Sequence, residues 1–245
     1  MVYIMSDIHG NKRRFDSILQ QINLTHNDTL YILGDIIDRH PSGVEILEFI
    51  MEQPNIQMLL GNHEHMMLSA IDPKYRGYNA AHSYDEWGTL RLWYRNGGTI
   101  THEALKRLDN ARKEKICEYL RDRPLYFDIE VNGMKYKLVH AYPIEFYGEY
   151  HYEYSDPRTF AVWHRYHKEE LVPEDYILIF GHTPTEMYQP NNPLRIYHGN
   201  RVIGMDCGSG YEDDSIVHGG KQGNLACLCL DNGAEYYSEE KLCNE

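Results

Sequence analysis

Six polar residues whose side chains bind metal ions each follow a short apolar segment of this sequence. They are Asp7, His9, Asp35, Asn62, His140 and His182. The preceding segments are VYIM, TLYIL, IQMLL, YKLV and YILIF, all rich in β-branched, aromatic or other apolar residues. Carboxylate, amide and imidazole groups without a thiolate favour manganese, iron or zinc, and the imidazoles make calcium or magnesium less suitable. The residue types therefore indicate a cation site.

Each of these residues also has a structural explanation when it is taken alone. Asp7 is suited to cap the following helix, Asn62 to shape a turn, and a histidine is more often a surface or core residue than a ligand. Their common position favours ligation, because the carboxyl ends of strands in a sheet with helical crossovers converge on one crevice. Six donors exceed the need of one small cation, whereas two cations that share a carboxylate use all six and leave positions for water. We expect a two-metal site in which Asp35 is shared.

The apolar segments predict buried strands that alternate with helices in the first third of the chain. A sixth strand is predicted at RVIGM, residues 201–205. Residues 15–22 carry apolar side chains at helical spacing. Ser42 and Glu45 predict a second helix that opens with a capping box.

The later part of the chain is predicted to be richer in strands. A polar, helix-rich insertion is expected at about residues 70–125. Asn132-Gly133 and Asn232-Gly233 each predict a tight hairpin turn, because this pair readily takes left-handed backbone angles. The pattern indicates an α/β to α+β fold in which two packed sheets carry helices on the outside. We expect residues 1–245 to form a single domain.

Composition excludes several classes of protein. No apolar run approaches the roughly twenty residues of a membrane helix, and the N-terminus lacks the shape of a secretory signal, so a cytoplasmic protein is expected with no membrane partner. The net charge of −13 argues against a nucleic-acid polymer as partner, so a protein that handles an anion needs a local positive site. The cysteines are odd in number and form no CxxC pair, which predicts reduced, mostly buried thiols. They are Cys117, Cys207, Cys227, Cys229 and Cys243.

The segments DIHG, GDIIDR, GNHE, HA at residues 140–141 and GHTPT occur in an order and spacing that is characteristic. They resemble the metallophosphoesterases of the phosphoprotein phosphatase superfamily, and more narrowly the lambda-phosphatase-like bacterial serine/threonine phosphatases. The resemblance implies the calcineurin-like fold, with two packed sheets and flanking helices in four layers. It also implies that one ion is held by Asp7, His9 and Asp35, and the other by Asp35, Asn62, His140 and His182.

The same resemblance implies roles for four further residues. His63 would protonate the leaving oxygen, Asp38 would orient His63, and Arg39 would hold phosphate oxygens. Arg165, in a Trp-x-Arg segment, would be a second phosphate ligand. The alternatives are a surface ion pair for Asp38 and Arg39, and a solvated charge beside a packed tryptophan for Arg165.

Other positions depart from the family pattern or have no clear role. His40 replaces the glycine usual after the arginine, which could alter the turn that presents Arg39. His65 should point away from His63 on a helix, so we exclude it from the site. Residues 147–156 interleave tyrosines with acids, which could line a substrate groove or stack on a base, but the composition favours an ordinary amphipathic loop or strand. Asp206, with Gly208, is assigned a supporting role.

The sequence therefore predicts a dinuclear-metal phosphoester hydrolase. Two cations about 3.5–4 Å apart can hold a bridging water whose pKa falls from 15.7 to about 7, which supplies hydroxide without a covalent enzyme intermediate. The expected substrate is a phosphorylated serine or threonine, or also tyrosine, in a protein or peptide. The alternative substrate is a dinucleoside polyphosphate such as symmetrical diadenosine tetraphosphate. A noncatalytic phosphate-binding scaffold is the third hypothesis.

Overall fold

The computed structural model describes residues 1–76, 86–170, 172–191, 194–211 and 223–238. The strands of these ranges are β1 (Val2–Met5), β2 (Thr29–Ile32), β3 (Ile56–Met58), β4 (Tyr126–Val131), β5 (Met134–Val139), β6 (Ile177–Phe180), β7 (Tyr197–His198), β8 (Val202–Gly204), β9 (Ala226–Cys229) and β10 (Glu235–Tyr237). The α-helices are α1 (Lys12–Ile22), α2 (Gly43–Met51), α3 (Asn62–Ile71), α4 (Pro73–Arg76), α5 (Glu86–Arg95), α6 (Thr99–Lys106), α7 (Asn110–Arg121), α8 (Tyr147–Tyr150) and α9 (Pro157–Trp163). Short 3₁₀ helices lie at Ile144–Phe146 and Thr185–Met187.

The strands form two five-stranded mixed sheets. The first has the order β10-β9-β1-β2-β3, with β1, β2 and β3 parallel. The second has the order β4-β5-β6-β8-β7, with β5, β6 and β8 parallel. Because parallel strands end at the same edge of a sheet, the residues that follow β1, β2 and β3 lie side by side, as do those that follow β5, β6 and β8.

The two sheets pack face to face over a buried apolar layer. Ile4 and Leu59 from the first sheet and its strand ends meet Leu138 and Ile179 from the second. The side chains on the other face of the first sheet, such as Tyr3, pack against the helices outside it, because successive residues of a strand point to opposite faces. A third cluster, which includes Leu178 and residues of α9, covers the outer face of the second sheet. The predicted four-layer arrangement of helices and two sheets is confirmed.

The six predicted strands and both early helices are present. In α1, Phe15, Ile18 and Ile22 are buried, and the Asn11 side chain caps the helix by accepting from the Arg14 N–H. Helix α2 begins directly after Ser42, but the Ser42 side chain makes no capping hydrogen bond. The position of α2 was therefore predicted correctly, but the prediction that it opens with a capping box was wrong.

The two Asn-Gly pairs form different turns. Asn132 and Gly133 have φ angles of 52° and 77° and join β4 to β5 in register, which confirms the tight hairpin. Near the C-terminus only Gly233 is left-handed, with φ 73°, and its N–H donates to Cys229 O across a wider connection between β9 and β10. The second hairpin is present, but the prediction of a two-residue turn was wrong.

The region predicted as a helical insertion contains α4, α5, α6 and α7, while its residues 77–85 lie outside the described ranges. Helix α5 packs against α3, which follows directly on β3. Residues of the α5–α6 connection thereby come close to the ends of the first sheet. Among the described residues, no helix has both the length and the apolar character needed to cross a membrane.

The described cysteines agree with the predicted reduced thiols. Cys117, Cys207, Cys227 and Cys229 are buried and free of disulfides. Burial raises the pKa of the Cys117 thiol to about 11, so it remains a protonated, apolar group. Cys243 lies outside the described residues.

Candidate active site

The structure brings the six proposed ligands together at the adjoining strand ends of the two sheets. Each is at most 7% exposed: Asp7, His9, Asp35, Asn62, His140 and His182. Asp35 belongs to two groups of donor atoms that lie within 4.8 Å of one another, one with His9 and His63 and the other with His140 and His182. Its Oδ2 lies 3.7 Å from His9 Nε2, and its Oδ1 lies 3.5 Å from His140 Nε2. Asp35 therefore has the central position expected of a shared ligand.

The backbone turns sharply to aim these side chains at one point. Asp7, His9, Asp35 and His182 have φ angles of 54°, 50°, 55° and 60°. Asp, Asn and His tolerate this left-handed region better than other residues that carry a Cβ atom. The side chains thus leave their strands within a few residues and point into the crevice instead of continuing the alternation of the strand.

Three of the imidazoles are fixed by carbonyl groups outside the centre. His9 Nδ1 donates to Ile37 O over 3.2 Å, and His140 Nδ1 donates to Leu33 O over 2.7 Å. His182 Nε2 likewise donates to a backbone carbonyl, at 3.1 Å. Because a carbonyl oxygen only accepts, these nitrogens carry the proton and the opposite nitrogens present lone pairs. Burial lowers the pKa of all three rings, which keeps them neutral.

The lone pairs of two of these rings converge on an amide oxygen. Asn62 Oδ1 lies 2.9 Å from His140 Nε2 and 2.9 Å from His182 Nδ1. With the amide oxygen in this position, three acceptor atoms face one another without a proton to share. A cation is the group that stabilises such a set, and its oxygen and nitrogen donors suit a manganese, iron or zinc ion. The residues present therefore fit a metal centre.

The buried carboxyl groups point to the same conclusion. Burial and the negative charges of Asp206 and Asp35 raise the pKa of Asp7 well above its usual value. Burial also raises the pKa of Asp206 to about 6, although its Oδ1 accepts a hydrogen bond from Gly208 N. Burial opposes the ionisation of Asp35 too, but the neighbouring His140 and His63 outweigh it and lower the pKa of Asp35. Cations between these carboxylates would relieve their mutual repulsion.

His63 and Asp38 form a buried pair beside the centre. His63 Nδ1 donates to Asp38 Oδ2 over 2.7 Å, which leaves His63 Nε2 facing Asp35 Oδ2 at 3.8 Å. Burial disfavours the imidazolium, but the charge of Asp35 and the hydrogen bond to Asp38 outweigh burial and raise the pKa of His63. Asp38 itself is wholly buried, so it is not part of a surface ion pair.

Trp93, which was not among the predicted site residues, also holds Asp38. The Trp93 indole Nε1 donates to Asp38 Oδ2 over 2.8 Å, and the Trp93 side chain is wholly buried. The Gly98 backbone packs closely against the indole ring, since a Cβ atom on this residue would come within 2.3 Å of the ring. The Asp38 backbone N–H is held separately by Thr101 Oγ1, at 2.9 Å.

Glu64 is a second residue that the sequence analysis missed, although it completes the GNHE segment. Its carboxylate accepts from the N–H groups of Asp35, Ile36, Ile37 and Gly61 at 2.8–3.2 Å. These bonds tie the loop after β2 to the loop after β3. Burial and the charge of Asp35 raise the pKa of Glu64 to about 7, whereas the N–H donors favour its carboxylate form.

Both proposed phosphate ligands lie at the rim of the centre and are exposed. Arg39 Nη2 is 3.4 Å from His63 Nε2. Arg165 Nη1 donates to His182 O and to Thr183 Oγ1 at 3.2 and 3.3 Å, which places it above the other side of the centre. The two guanidinium groups thus approach the centre from two distant segments of the chain, one after β2 and one after α9.

The unusual positions fall outside the centre. The left-handed turn lies at Asp38 and Arg39, with φ 73° and 67°, and His40 does not share it. His40 therefore does not adopt the left-handed conformation that a glycine at this position would allow. Its Nδ1 instead interacts with His9 O at 3.1 Å. His65 is buried against the Tyr75 hydroxyl at 2.7 Å, on a different side of α3 from the centre.

The tyrosine-rich residues 147–156 form the short helix α8 and a turn that packs on α9. Tyr150 and Tyr154 each place a ring 5.3 Å from that of Phe160. The Tyr150 hydroxyl donates to Glu170 Oε1 over 2.8 Å. Of the two interpretations of this segment, its contacts favour structural packing over a groove that stacks a base.

Comparison with known proteins finds relatives named as protein phosphatases and as tetraphosphatases. The serine/threonine-protein phosphatase 2 of Salmonella typhimurium is 27% identical over 148 residues, which are 60% of this chain and 61% of that protein. The symmetrical bis(5'-nucleosyl)-tetraphosphatase of Proteus mirabilis is 35% identical over 71 residues, which are 28% of this chain and 26% of that protein. The chain thus spans about three fifths of the first relative and one quarter of the second.

Similarity in structure and in family pattern extends further along the chain. The crystal structure of a metallophosphoesterase from Sphaerobacter thermophilus has the same fold, with a TM-score of 0.53 and 16% sequence identity, and the match covers 97% of this chain and 88% of that one. The pattern of the calcineurin-like phosphoesterases matches residues 1–226. With most of its length and all of the strand ends described above inside that match, this chain belongs to the calcineurin-like phosphoesterase family.

Proposed function

We propose that this protein is a metal-dependent phosphatase that hydrolyses phosphoserine and phosphothreonine esters in proteins, with phosphotyrosine as a further substrate. The proposal rests on the convergence of acceptor atoms around Asp35 and Asn62, next to the His63–Asp38 pair. We infer two divalent cations, manganese first and iron or zinc as alternatives. One would be held by Asp7, His9 and Asp35, and the other by Asp35, Asn62, His140 and His182. When bound, such a pair would neutralise phosphate oxygens and lower the pKa of a water molecule, which would then lose a proton and supply hydroxide as the nucleophile.

His63 is the proposed proton donor to the leaving oxygen. Its distances to His9 and Asp35 would also allow it to ligate a cation. However, Arg39 Nη2 lies 3.4 Å from His63 Nε2, and a guanidinium is an unfavourable neighbour for a metal-bound nitrogen. The Asp38 carboxylate holds the proton on Nδ1, so Nε2 can release its own proton only from the imidazolium form. A positioned acid of this kind contributes about 10²- to 10⁴-fold to the rate.

Arg39 and Arg165 are the proposed ligands of the phosphate oxygens. A guanidinium group matches phosphate with two parallel hydrogen bonds, and these two flank the centre. They also supply the local positive charge that an anionic substrate needs in a chain of net charge −13. Arg165 is positioned by its bonds to His182 O and Thr183, which supports a role at the site over a freely solvated charge.

Two observations favour a protein substrate over a dinucleoside polyphosphate. The similarity to the serine/threonine-protein phosphatase 2 of Salmonella typhimurium covers 60% of this chain and 61% of that protein. The similarities to the symmetrical tetraphosphatases of Proteus mirabilis and Chromobacterium violaceum cover 28% and 57% of this chain, but only 26% and 42% of those proteins. In addition, three of the four tyrosines in residues 147–156, namely Tyr147, Tyr150 and Tyr154, pack against the cluster around Phe160 and are therefore not free to stack on a base. We therefore propose the phosphoprotein as substrate.

The test compares turnover of phosphoserine peptides, phosphotyrosine peptides and diadenosine tetraphosphate, with manganese and after chelation. We expect the protein to release phosphate from the phosphoserine peptides when manganese is present and not after chelation. In His63→Asn, the rate of this release should fall at least about 100-fold. His65→Gln, on the same helix but directed at Tyr75, is the matched control and should retain activity. Equal turnover by wild-type protein and His63→Asn would remove His63 from the mechanism. Absence of turnover on every substrate would favour the noncatalytic scaffold.

A further inference from the structure

An open cavity of about 440 Å³, lined by both polar and apolar groups, lies next to Arg39, between the α5–α6 connection and Gly210. Arg95, Asn96 and Thr99 contribute polar side chains to its wall. Of the described residues that line the cavity, Arg39 is the one that has a role in the proposed mechanism. The volume is within the range of ligand-binding pockets, which begins at about 300 Å³.

The cavity opens onto the guanidinium group that also faces the centre. Arg39 is enclosed by two glycines: its N–H donates to Gly97 O over 3.2 Å, and a Cβ atom on Gly210 would come within 2.7 Å of Arg39 Nη1. The far end of the same side chain places Nη2 3.4 Å from His63 Nε2. A group bound in the cavity would therefore lie directly beside the phosphate held at the centre.

The wall of this cavity is positively charged. Arg95 is exposed at the end of α5 and makes no ion pair or hydrogen bond within the described ranges. None of the described residues that line the cavity is acidic. In a chain of net charge −13, two arginines without a carboxylate between them create a local positive potential. An anionic group in the cavity would stabilise both.

We propose that this cavity, the Arg95 subsite, binds a second anionic group of the substrate next to the phosphate that is hydrolysed. The inference rests on the proposed function and refines its substrate class to phosphopeptides with an acidic residue near the phosphorylated one. A carboxylate is the natural partner of a guanidinium fork, and Arg95 has its fork available. The subsite thus selects among phosphopeptides, while the centre supplies the chemistry that all of them share.

The test uses pairs of phosphoserine peptides that carry either glutamate or glutamine at a single position, placed in turn on each side of the phosphoserine. For wild-type protein with manganese at low salt, we expect one glutamate position to lower KM about two- to fivefold relative to glutamine. Arg95→Gln should remove this preference. Arg91→Gln, also an exposed arginine of α5 but absent from the cavity wall, is the matched control and should keep it. Added salt should weaken the preference, because the pair is exposed.

Several outcomes would overturn the subsite. These are equal KM values for the two peptides at every position, a preference that survives in Arg95→Gln, and a preference lost equally in Arg91→Gln. A loss of p-nitrophenyl phosphate turnover in Arg95→Gln as large as the loss with the acidic peptide would also overturn it, because this ester has no second anion. A strong preference for diadenosine tetraphosphate that depends on Arg95 would overturn the peptide assignment.

Failure of the subsite can be told from failure of the proposed function. Wild-type protein that releases no phosphate from p-nitrophenyl phosphate or any peptide with manganese refutes the proposed function itself. Wild-type protein that hydrolyses these esters without any acidic preference refutes the subsite alone.

Discussion

Replacing Trp93 by phenylalanine should weaken proton donation by His63 without removing any proposed ligand. Trp93 Nε1 and His63 Nδ1 both donate to Asp38 Oδ2, at 2.8 and 2.7 Å. Asp38 Oδ1 is buried and has no hydrogen-bond partner among the described residues. Phenylalanine keeps an aromatic ring against Gly98 but lacks the N–H group. The Asp38 side chain would then be held only through His63, the residue that it has to orient.

The magnitude follows from the type of bond. A hydrogen bond to a charged acceptor contributes about 1.5–3 kcal/mol. If the loss is expressed mainly in the transition state, where the imidazole position matters most, the rate falls about 10- to 100-fold. The loss should appear in kcat, since the hydrogen bond that is removed joins Trp93 to Asp38, and neither residue is a proposed phosphate ligand.

The assay compares two esters that differ in their leaving group. Phenyl phosphate releases a basic oxygen that needs a proton from His63, whereas p-nitrophenyl phosphate releases a stable anion that hardly needs one. We expect kcat of Trp93→Phe to fall about 10- to 100-fold on the first ester and much less on the second. In a His63→Asn background, Trp93→Phe should have little further effect on kcat, as expected for residues that act through one another.

Three results would refute this reasoning. Equal losses on both esters would mean that the substitution disturbs the centre as a whole, through the space left by the smaller ring. Multiplicative losses in the double variant would mean that Trp93 acts independently of His63. Unchanged kinetics would show that the Trp93–Asp38 bond has no role in positioning.

Three further predictions concern Glu64, His65 and Arg165. Glu64→Gln replaces one acceptor oxygen by an amide NH₂ group and so loses two of the four hydrogen bonds to backbone N–H groups. The free energy of unfolding, measured in urea, should therefore fall by about 3 kcal/mol. The control Glu48→Gln, which removes a surface ion pair, should lower it by less than about 1 kcal/mol. Burial lowers the pKa of His65 from 6.5 to about 4, so the unfolded state takes up a proton first as the pH falls. Between pH 7.5 and pH 5 in the presence of chelator, wild-type protein should therefore lose about 2 kcal/mol more stability than His65→Gln; an equal loss would contradict the assignment. Arg165→Ala should raise KM and lower kcat on phosphopeptides by about tenfold or more, and unchanged kinetics would assign Arg165 to the surface.

The fold and the cluster of six donors were predictable from the sequence because their signals are local. A buried parallel strand is a short apolar run, and the residue that ends it must turn toward the crevice, as Asp35 and His140 do. Topology then brings such ends together, although 107 positions separate His140 from Leu33, the residue that accepts its Nδ1–H. The position of these residues at strand ends was therefore enough to predict the cluster, without a further signal in the sequence around them.

Other contacts had no local signal. Trp93 meets Asp38 across 55 positions, and this depends on how α5 packs against α3. A helix with a tryptophan on its buried side gives no indication of which polar group the indole will reach. Glu64 did have a signal, since an acid three residues after Gly61 at the start of a helix is placed to accept from the Gly61 N–H. The family pattern likewise does not show which residues of the turn after β2 are left-handed, and the structure places this conformation at Asp38 and Arg39.

The backbone of the candidate site explains why such support is required. Left-handed conformations of residues other than glycine cost on the order of 1–3 kcal/mol each, and they occur here at Asp7, His9, Asp35 and His182. Burying carboxylates close together adds to this cost. The four N–H bonds to Glu64 offset part of it by fixing the loop that carries Asp35. The crevice is thus held in a conformation that is unfavourable for the chain alone and favourable around cations, which is the arrangement a preorganised metal centre requires.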